Sequence, residues 1–189
     1  MPSTADAKRA ARAAAKARLR ALGPAALAAA GQAIAGQLFA RPEWRQAGTV
    51  FCFASLPSEP DTAPVLARAL AEGRRLCLPR MLGGGRMELV EVQDLSALRP
   101  NAIGIREPAQ GAVLDPAALG PDALALVPCL AASRDGVRLG RGGGYYDRFL
   151  AGFAGRALLA CPAALVFDTL PADPWDARFA PGEFLTGGC

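Results

Sequence analysis

Three features of the 189-residue chain predict an α/β fold on an open, largely parallel sheet. Strand-length apolar runs, such as Thr49–Ala54 and Asp122–Val127, alternate with longer segments of helical pattern. The strongest runs are apolar throughout, which suits strands covered on both faces. A glycine-rich bend, Arg138–Arg148, joins the second run to a helix, and ligands of such sheets sit in loops that leave the carboxyl ends of strands.

Ala5–Leu22 is rich in Ala and Arg, both strong helix formers, and Pro24 suits the first position of a second helix reaching Phe39. Thr49–Ala54 is the first strand, and Ser55–Asp61 a proline-punctuated loop. Thr62–Ala71 is a helix closed by Gly73, and Arg75–Leu78 a buried strand that Pro79 ends. Gly83–Gly85 reads as a turn into a half-exposed strand, Met87–Val92. Asp94–Ile105 reads as irregular. Asp122–Val127 is a strand and Tyr145–Phe153 the helix after the glycines. Ala157–Ala160, Leu165–Phe167 and Phe184–Thr186 complete the set as short strands. No internal repeat or linker divides the chain, so residues 1–189 are expected to form one domain.

Composition removes many chemistries. Histidine is absent, which excludes Ser-His-Asp and Cys-His catalysis and imidazole-based zinc sites. The five cysteines, Cys52, Cys77, Cys129, Cys161 and Cys189, are widely spaced and form no CxxC pair. They read as free thiols in a reducing cytoplasm. The N-terminus lacks the apolar core of a secretory signal, and no apolar run approaches a membrane span. Net charge is +4, but residues 1–50 carry eight basic and two acidic side chains. This basic end points to an anionic partner, a nucleic acid or a phosphate-bearing small molecule. Lys8, Arg12, Lys16 and Arg20 recur every four residues and form one cationic stripe, which reads as a solvated face, a ligand-binding face or a transit peptide.

The bend itself, Arg138-Leu139-Gly140-Arg141-Gly142-Gly143-Gly144-Tyr145-Tyr146-Asp147-Arg148, carries most of the functional signal. Glycines let the backbone wrap an anion closely, and the helix that follows points unpaired N–H groups at it. A Walker loop needs Gly-Lys-Ser or Gly-Lys-Thr, yet the only lysines are Lys8 and Lys16. A tight surface turn is the competing reading. Of the adjacent tyrosines Tyr145 and Tyr146, about 100° apart on a helix, one can face a ligand while the other packs inward. Asp147 falls in the first helical turn, where a carboxylate suits the dipole and also suits Mg²⁺ beside a phosphate. Glu59, stiffened by Pro57 and Pro60, reads either as part of a capping loop or as a positioned carboxylate, while Asp61 and Thr62 read as caps. Asp176 taken alone is an ordinary loop acid.

At these residues the chain resembles the 5-formyltetrahydrofolate cyclo-ligase family, also called 5,10-methenyltetrahydrofolate synthetase. The likeness is densest from Val127-Pro128-Cys129-Leu130 through Arg138–Asp147. It extends to Lys8-Arg9-Ala10-Ala11-Arg12, Ser55–Thr62, Arg106-Glu107-Pro108 and Pro171–Asp176, covering essentially the whole chain. It implies a three-layer α/β/α sandwich and an ATP- and Mg²⁺-dependent cyclisation of 5-formyltetrahydrofolate to 5,10-methenyltetrahydrofolate. Phosphorylation of the formyl oxygen and attack by N10 need no histidine. By the same likeness Lys8, Arg12 and Arg138, Leu139, Gly140, Arg141, Gly142, Gly143, Gly144, Tyr145 and Tyr146 would bind ATP. Ala54, Glu59, Arg141 and Tyr145 would bind the folate, with Arg141 and Tyr145 in catalytic roles, and Asp147 and Asp176 would hold Mg²⁺. A use for Lys8 argues for a retained N-terminus. The implied partners are small molecules, without nucleic acid or membrane, and a monomer is expected. Gly143 stands where some members carry lysine, a cation that Arg141 or Lys8 would replace. Ala54 stands where some carry a larger apolar residue.

Two other classes fit the pattern less fully. A sugar-phosphate isomerase or acyl-CoA transferase on a similar sheet would work without ATP and leave Lys8 and Arg12 idle. A nucleic-acid module would use the cationic stripe, but the chain lacks interleaved aromatic residues for base stacking.

Overall fold

The computed structural model describes residues 3–187. Helix α1 (Thr4–Ala40) is two helices joined at a kink, because Gly23 takes φ 75° and Pro24 behind it supplies no N–H. The two parts match the helices expected on either side of Gly23. The second half buries Leu27, Ala30, Gly31, Ile34, Ala35 and Leu38, an i, i+3, i+4 stripe, whereas the first half buries only Ala15. A short helix, α2 (Pro42–Gln46), follows and buries Trp44. Strand β1 (Thr49–Phe51) leads to α3 (Ala63–Ala71) and β2 (Arg75–Gly83), which turns into β3 (Arg86–Val92). Then come β4 (Leu98–Pro100), β5 (Arg106–Pro108), β6 (Val113–Leu114) and β7 (Ala123–Pro128). The remaining elements are β8 (Ala131–Ser133), β9 (Arg138–Leu139), α4 (Tyr145–Gly152), β10 (Arg156–Ala160), β11 (Val166–Phe167) and β12 (Phe184–Leu185).

Seven strands form the main sheet in the order β12-β10-β7-β1-β2-β3-β6. The five from β12 to β2 run parallel, and β3 and β6 add an antiparallel edge. On one face Val50, Leu76, Leu124 and Leu158 pack against the second half of α1, α2 and α3. On the other Phe51, Ala125, Val127 and Leu159 pack against Tyr146 and Phe149 of α4. The result is a three-layer α/β/α sandwich with helices on both faces of a mostly parallel sheet. From β1 the chain moves one way to β2, and from β7 it moves the other way to β10. The β1 and β7 exit loops therefore diverge at the switch point, where such sheets open a crevice.

Several expectations need correction. Pro79 does not end its strand: β2 runs on to Gly83, with Pro79 opposite Leu89. Arg75 N–H bonds to Gly48 O and Cys77 O accepts from Cys52 N–H, so odd positions of β2 face β1. β1 ends opposite Cys77, and the N–H that Pro79 lacks would face the side β1 has vacated. The first strand stops at Phe51 rather than Ala54, since the chain must leave the sheet to form the site loop. Asp94–Ile105 is not wholly irregular, because Leu98–Pro100 pairs with Arg106–Pro108. Leu165 closes a 3₁₀ turn before the strand begins. Helix α2 and strands β4, β5, β6, β8 and β9 carry too few residues to show a period. Cys52, Cys77 and Cys161 are buried free thiols, as their apolar neighbours suggest; Cys189 lies outside the described residues.

Candidate active site

All the ATP, folate and Mg²⁺ residues that the resemblance implies line one cavity of about 340 Å³ at the carboxyl ends of β1 and β7. Phe53, Ala54, Leu56, Pro79, Met81 and Ile105 give it apolar wall. Lys8 and Arg12 of α1, the Arg138–Arg148 bend and Asp176 give it polar wall. Five cations (Lys8, Arg12, Arg138, Arg141, Arg148) face three carboxylates (Glu59, Asp147, Asp176), so the lining is net positive.

The bend takes its shape from its glycines. Gly142 (φ 108°) and Gly144 (φ 68°) adopt left-handed backbone, and Gly144 is the N-cap of α4. Intrahelical bonding begins with Arg148 N–H to Gly144 O, at 3.2 Å. Among the described residues, no backbone N–H from Arg141 to Asp147 reaches a protein acceptor. A row of free amides at a helix N-terminus can receive phosphate oxygens.

α1 reaches this loop from the other end of the chain. Arg12 Nε donates to Gly140 O at 3.0 Å, fixing the start of the bend. Lys8 Nζ lies 2.6 Å from Asp173 Oδ2 and 2.5 Å from Asp176 Oδ2. Burial works against the Lys8 ammonium, but hydrogen bonds and charge attraction from both aspartates outweigh it and raise its pKa. The cationic stripe divides accordingly: Lys8 and Arg12 enter the cavity, while Lys16 and Arg20 stay in solvent.

Arg138 is the anchor of the bend. Its nearly buried guanidinium donates to Pro128 O at 2.9 Å and Asp147 Oδ1 at 3.0 Å, and lies over the Tyr146 ring. Tyr146 is the inward tyrosine, packed near Phe51 and Phe149, and burial pushes its phenol well up, so it stays neutral. Tyr145 is half-buried on the cavity wall. Glu59 links the β1 loop to the bend: its carboxylate accepts from Leu56 N–H at 3.0 Å and from Arg141 Nη2 at 3.0 Å. Asp61 Oδ1 accepts from Ala63 N–H at 2.9 Å, while Thr62 holds the N-cap position without a side-chain cap bond. Thr62 Oγ1 instead donates to Phe53 O, pinning the loop to the strand end.

Asp147 and Asp176 are thus paired with Arg138 and Lys8. Among the described residues no group of three or more His, Cys, Asp and Glu converges, so the protein alone builds no closed metal cage. Two wall carboxylates nevertheless suit Mg²⁺, which takes one or two carboxylates and completes its shell with phosphate oxygens and water.

Sequence reasoning missed part of the lining. Arg148 Nη1 donates to Gly85 O at 2.9 Å and Gly143 O at 3.1 Å, tying the β2–β3 turn to the glycine loop. Met81 and Ile105 lie far from the bend in sequence and carried no signal. Trp175, beside Asp176, could have been noticed as an aromatic residue in a Pro/Asp-rich tail.

The profile of the 5-formyltetrahydrofolate cyclo-ligase family matches residues 4–180. The 5-formyltetrahydrofolate cyclo-ligase of Escherichia coli strain K12 is 31% identical over 166 residues, covering 84% of this chain and 90% of that protein. That of Mus musculus is 29% identical over 150 residues, covering 77% and 74%. The solution structure of Aquifex aeolicus 5,10-methenyltetrahydrofolate synthetase superposes with a TM-score of 0.77 at 28% identity, covering 90% of this chain and 86% of that one. A Mycoplasma pneumoniae 5,10-methenyltetrahydrofolate synthetase, at 19% identity and a TM-score of 0.71, shares the fold. With its profile match running through the N-terminal cations, the β1 loop and the glycine bend, the chain belongs to the 5-formyltetrahydrofolate cyclo-ligase family.

Proposed function

We propose that the protein converts 5-formyltetrahydrofolate to 5,10-methenyltetrahydrofolate, with ATP cleaved to ADP and phosphate. The observation that carries this reading is the meeting of Lys8 and Arg12 with the glycine bend, beside an apolar recess. A recess closed by Phe53, Ala54, Leu56 and Met81 suits the pterin and aryl rings, and the free amides of the bend suit a triphosphate.

In this scheme the formyl oxygen attacks the γ-phosphorus and the bond to ADP breaks. N10 then adds to the activated carbon, phosphate leaves with the electron pair of the carbon–oxygen bond, and the N10 proton passes to the departing phosphate. The protein supplies position and charge rather than a nucleophile, as phosphoryl transfer generally requires. Lys8, Arg12 and the amides of the bend hold the phosphates, and Arg138 keeps the bend in shape. Arg141, joined to Glu59 of the β1 loop, faces the charge that builds on the transferring group. Glu59, Tyr145 and the backbone at Ala54 orient the folate. Asp147 and Asp176 are the residues to hold Mg²⁺, which when bound supplies further neutralisation of phosphate charge. All these groups come from one chain, so a monomer suffices.

The test is a spectrophotometric assay with 5-formyltetrahydrofolate and Mg²⁺-ATP. Methenyl absorbance should grow only when ATP is present, and Arg12→Ala should raise the KM for ATP. No methenyl product at any enzyme concentration, or product formed equally without ATP, overturns the proposal.

A further inference from the structure

Trp175 is the most exposed large apolar side chain among the described residues, 76% accessible, and it stands at the rim of the active-site cavity. An indole of this size left in water forgoes a large burial gain unless something covers it. The same side chain, together with Asp147, also lines a second groove of about 360 Å³. Leu150 and Phe153 of the α4 end give this groove apolar wall, and Arg156 and Glu183 give it polar edges. The groove and the cavity therefore meet at Asp147 and Trp175.

Direction along the cavity decides what the groove receives. In the sheet order β10-β7-β1-β2 the apolar recess, with Pro79 and Met81, lies on the β2 side, and the second groove, with Arg156 and Ala157, lies on the β10 side. A nucleotide that delivers its terminal phosphoryl group to a substrate in the recess must point its other end away from it. Trp175 directly precedes Asp176, which holds Lys8 at the cradle. From the cradle, the groove shared by Asp147 and Trp175 opens onward.

We infer that Trp175 is the stacking platform for the purine base of the nucleotide, with the second groove receiving the nucleoside half. This inference rests on the proposed use of ATP. The flat indole contributes stacking, which is worth roughly tenfold or more in affinity for an exposed base. Trp175 is a binding residue and touches none of the reacting atoms.

Only two tryptophans occur, and the other, Trp44, is buried in the core. Emission from an exposed indole is therefore assignable to Trp175. ATP should quench this emission, whereas tripolyphosphate, which carries the phosphates without the base, should bind without quenching it. In Trp175→Phe the quench should disappear while ATP still binds. In Trp175→Ala, calorimetry should show ATP affinity reduced about tenfold and tripolyphosphate affinity unchanged. Equal ATP affinity in Trp175→Ala and the parent overturns the inference while leaving the ATP reading intact. So does a loss confined to 5-formyltetrahydrofolate binding. If neither ATP nor tripolyphosphate binds the parent protein, the proposed function falls, and this inference with it.

Discussion

At position 143 the side chain of a neighbour fills the space that a larger residue would need. A Cβ on Gly143 would lie 2.5 Å from Tyr145 Cε2 and 2.6 Å from Cδ2, so the Tyr145 ring and the bare backbone form one packed unit. Gly143→Ala should displace the ring and lower kcat/KM. Tyr145→Ala should lower it as well, but the double variant should lose less than the two losses combined, because the clash is already relieved. A steady-state double-mutant cycle measures this, and strictly additive losses would show that the ring and the backbone act separately. The glycine run was legible from residue order alone, as was the capping role of Asp61, whereas the Thr62 hydroxyl, expected to cap as well, bonds Phe53 O instead. The partners of Arg138 and Glu59 were not, because a guanidinium chooses among acceptors only after the chain has brought them together.

Among the elements, α1 and the β1 loop determine where Glu59 stands. α1 crosses the loop at Gly31, where a Cβ would approach Asp61 N to 2.5 Å and Asp61 O to 2.9 Å. Backbone cannot yield as a flexible side chain can, so Gly31→Ala must push the helix off the loop. The expected cost is about 1–3 kcal/mol of stability, with a raised KM for the folate. Gly36, on the exposed side of the same helix, has nothing within 4 Å of such a Cβ. Gly36→Ala should therefore stabilise the protein by roughly 0.5–1 kcal/mol through helix propensity. Urea denaturation of both variants checks the pair, and equal shifts would remove the close-approach argument. Helix α1 was readable from composition and Pro24, and β7 from its unbroken apolar run. Strand β2 was misread at Pro79, because whether a strand tolerates proline depends on which neighbour its missing N–H faces.

For the whole molecule, the pairing of Lys8 with Asp173 and Asp176 joins the N-terminal helix to the C-terminal segment across the site. These side chains are mostly buried, so the pairing falls between an exposed ion pair and a buried one, and Lys8→Met should cost on the order of 2 kcal/mol. Lys8 has a pKa raised above the ordinary lysine value on folding. Its contribution is thus complete below about pH 10.5 and is lost as pH rises through the raised value. Thermal denaturation should show the parent losing stability faster than Lys8→Met above that pH. Parallel curves would mean that Lys8 is not held by the aspartates.

Residue order settled what could be read locally: helices from composition and caps, buried strands from apolar runs, a bend at a helix start from clustered glycines, and the exclusion of imidazole chemistry from the absence of histidine. Those properties depend on neighbours a few positions apart. Tertiary structure decided the rest. It turned Lys8 and Arg12 inward and left Lys16 and Arg20 in water, made Arg138 an anchor, and set Met81, Ile105 and Trp175 around the site. The Arg138 contacts span only nine and ten residues but need the bend folded back on β7, whereas the other outcomes depend on groups tens to more than a hundred residues apart, which only the winding of the sheet brings within reach.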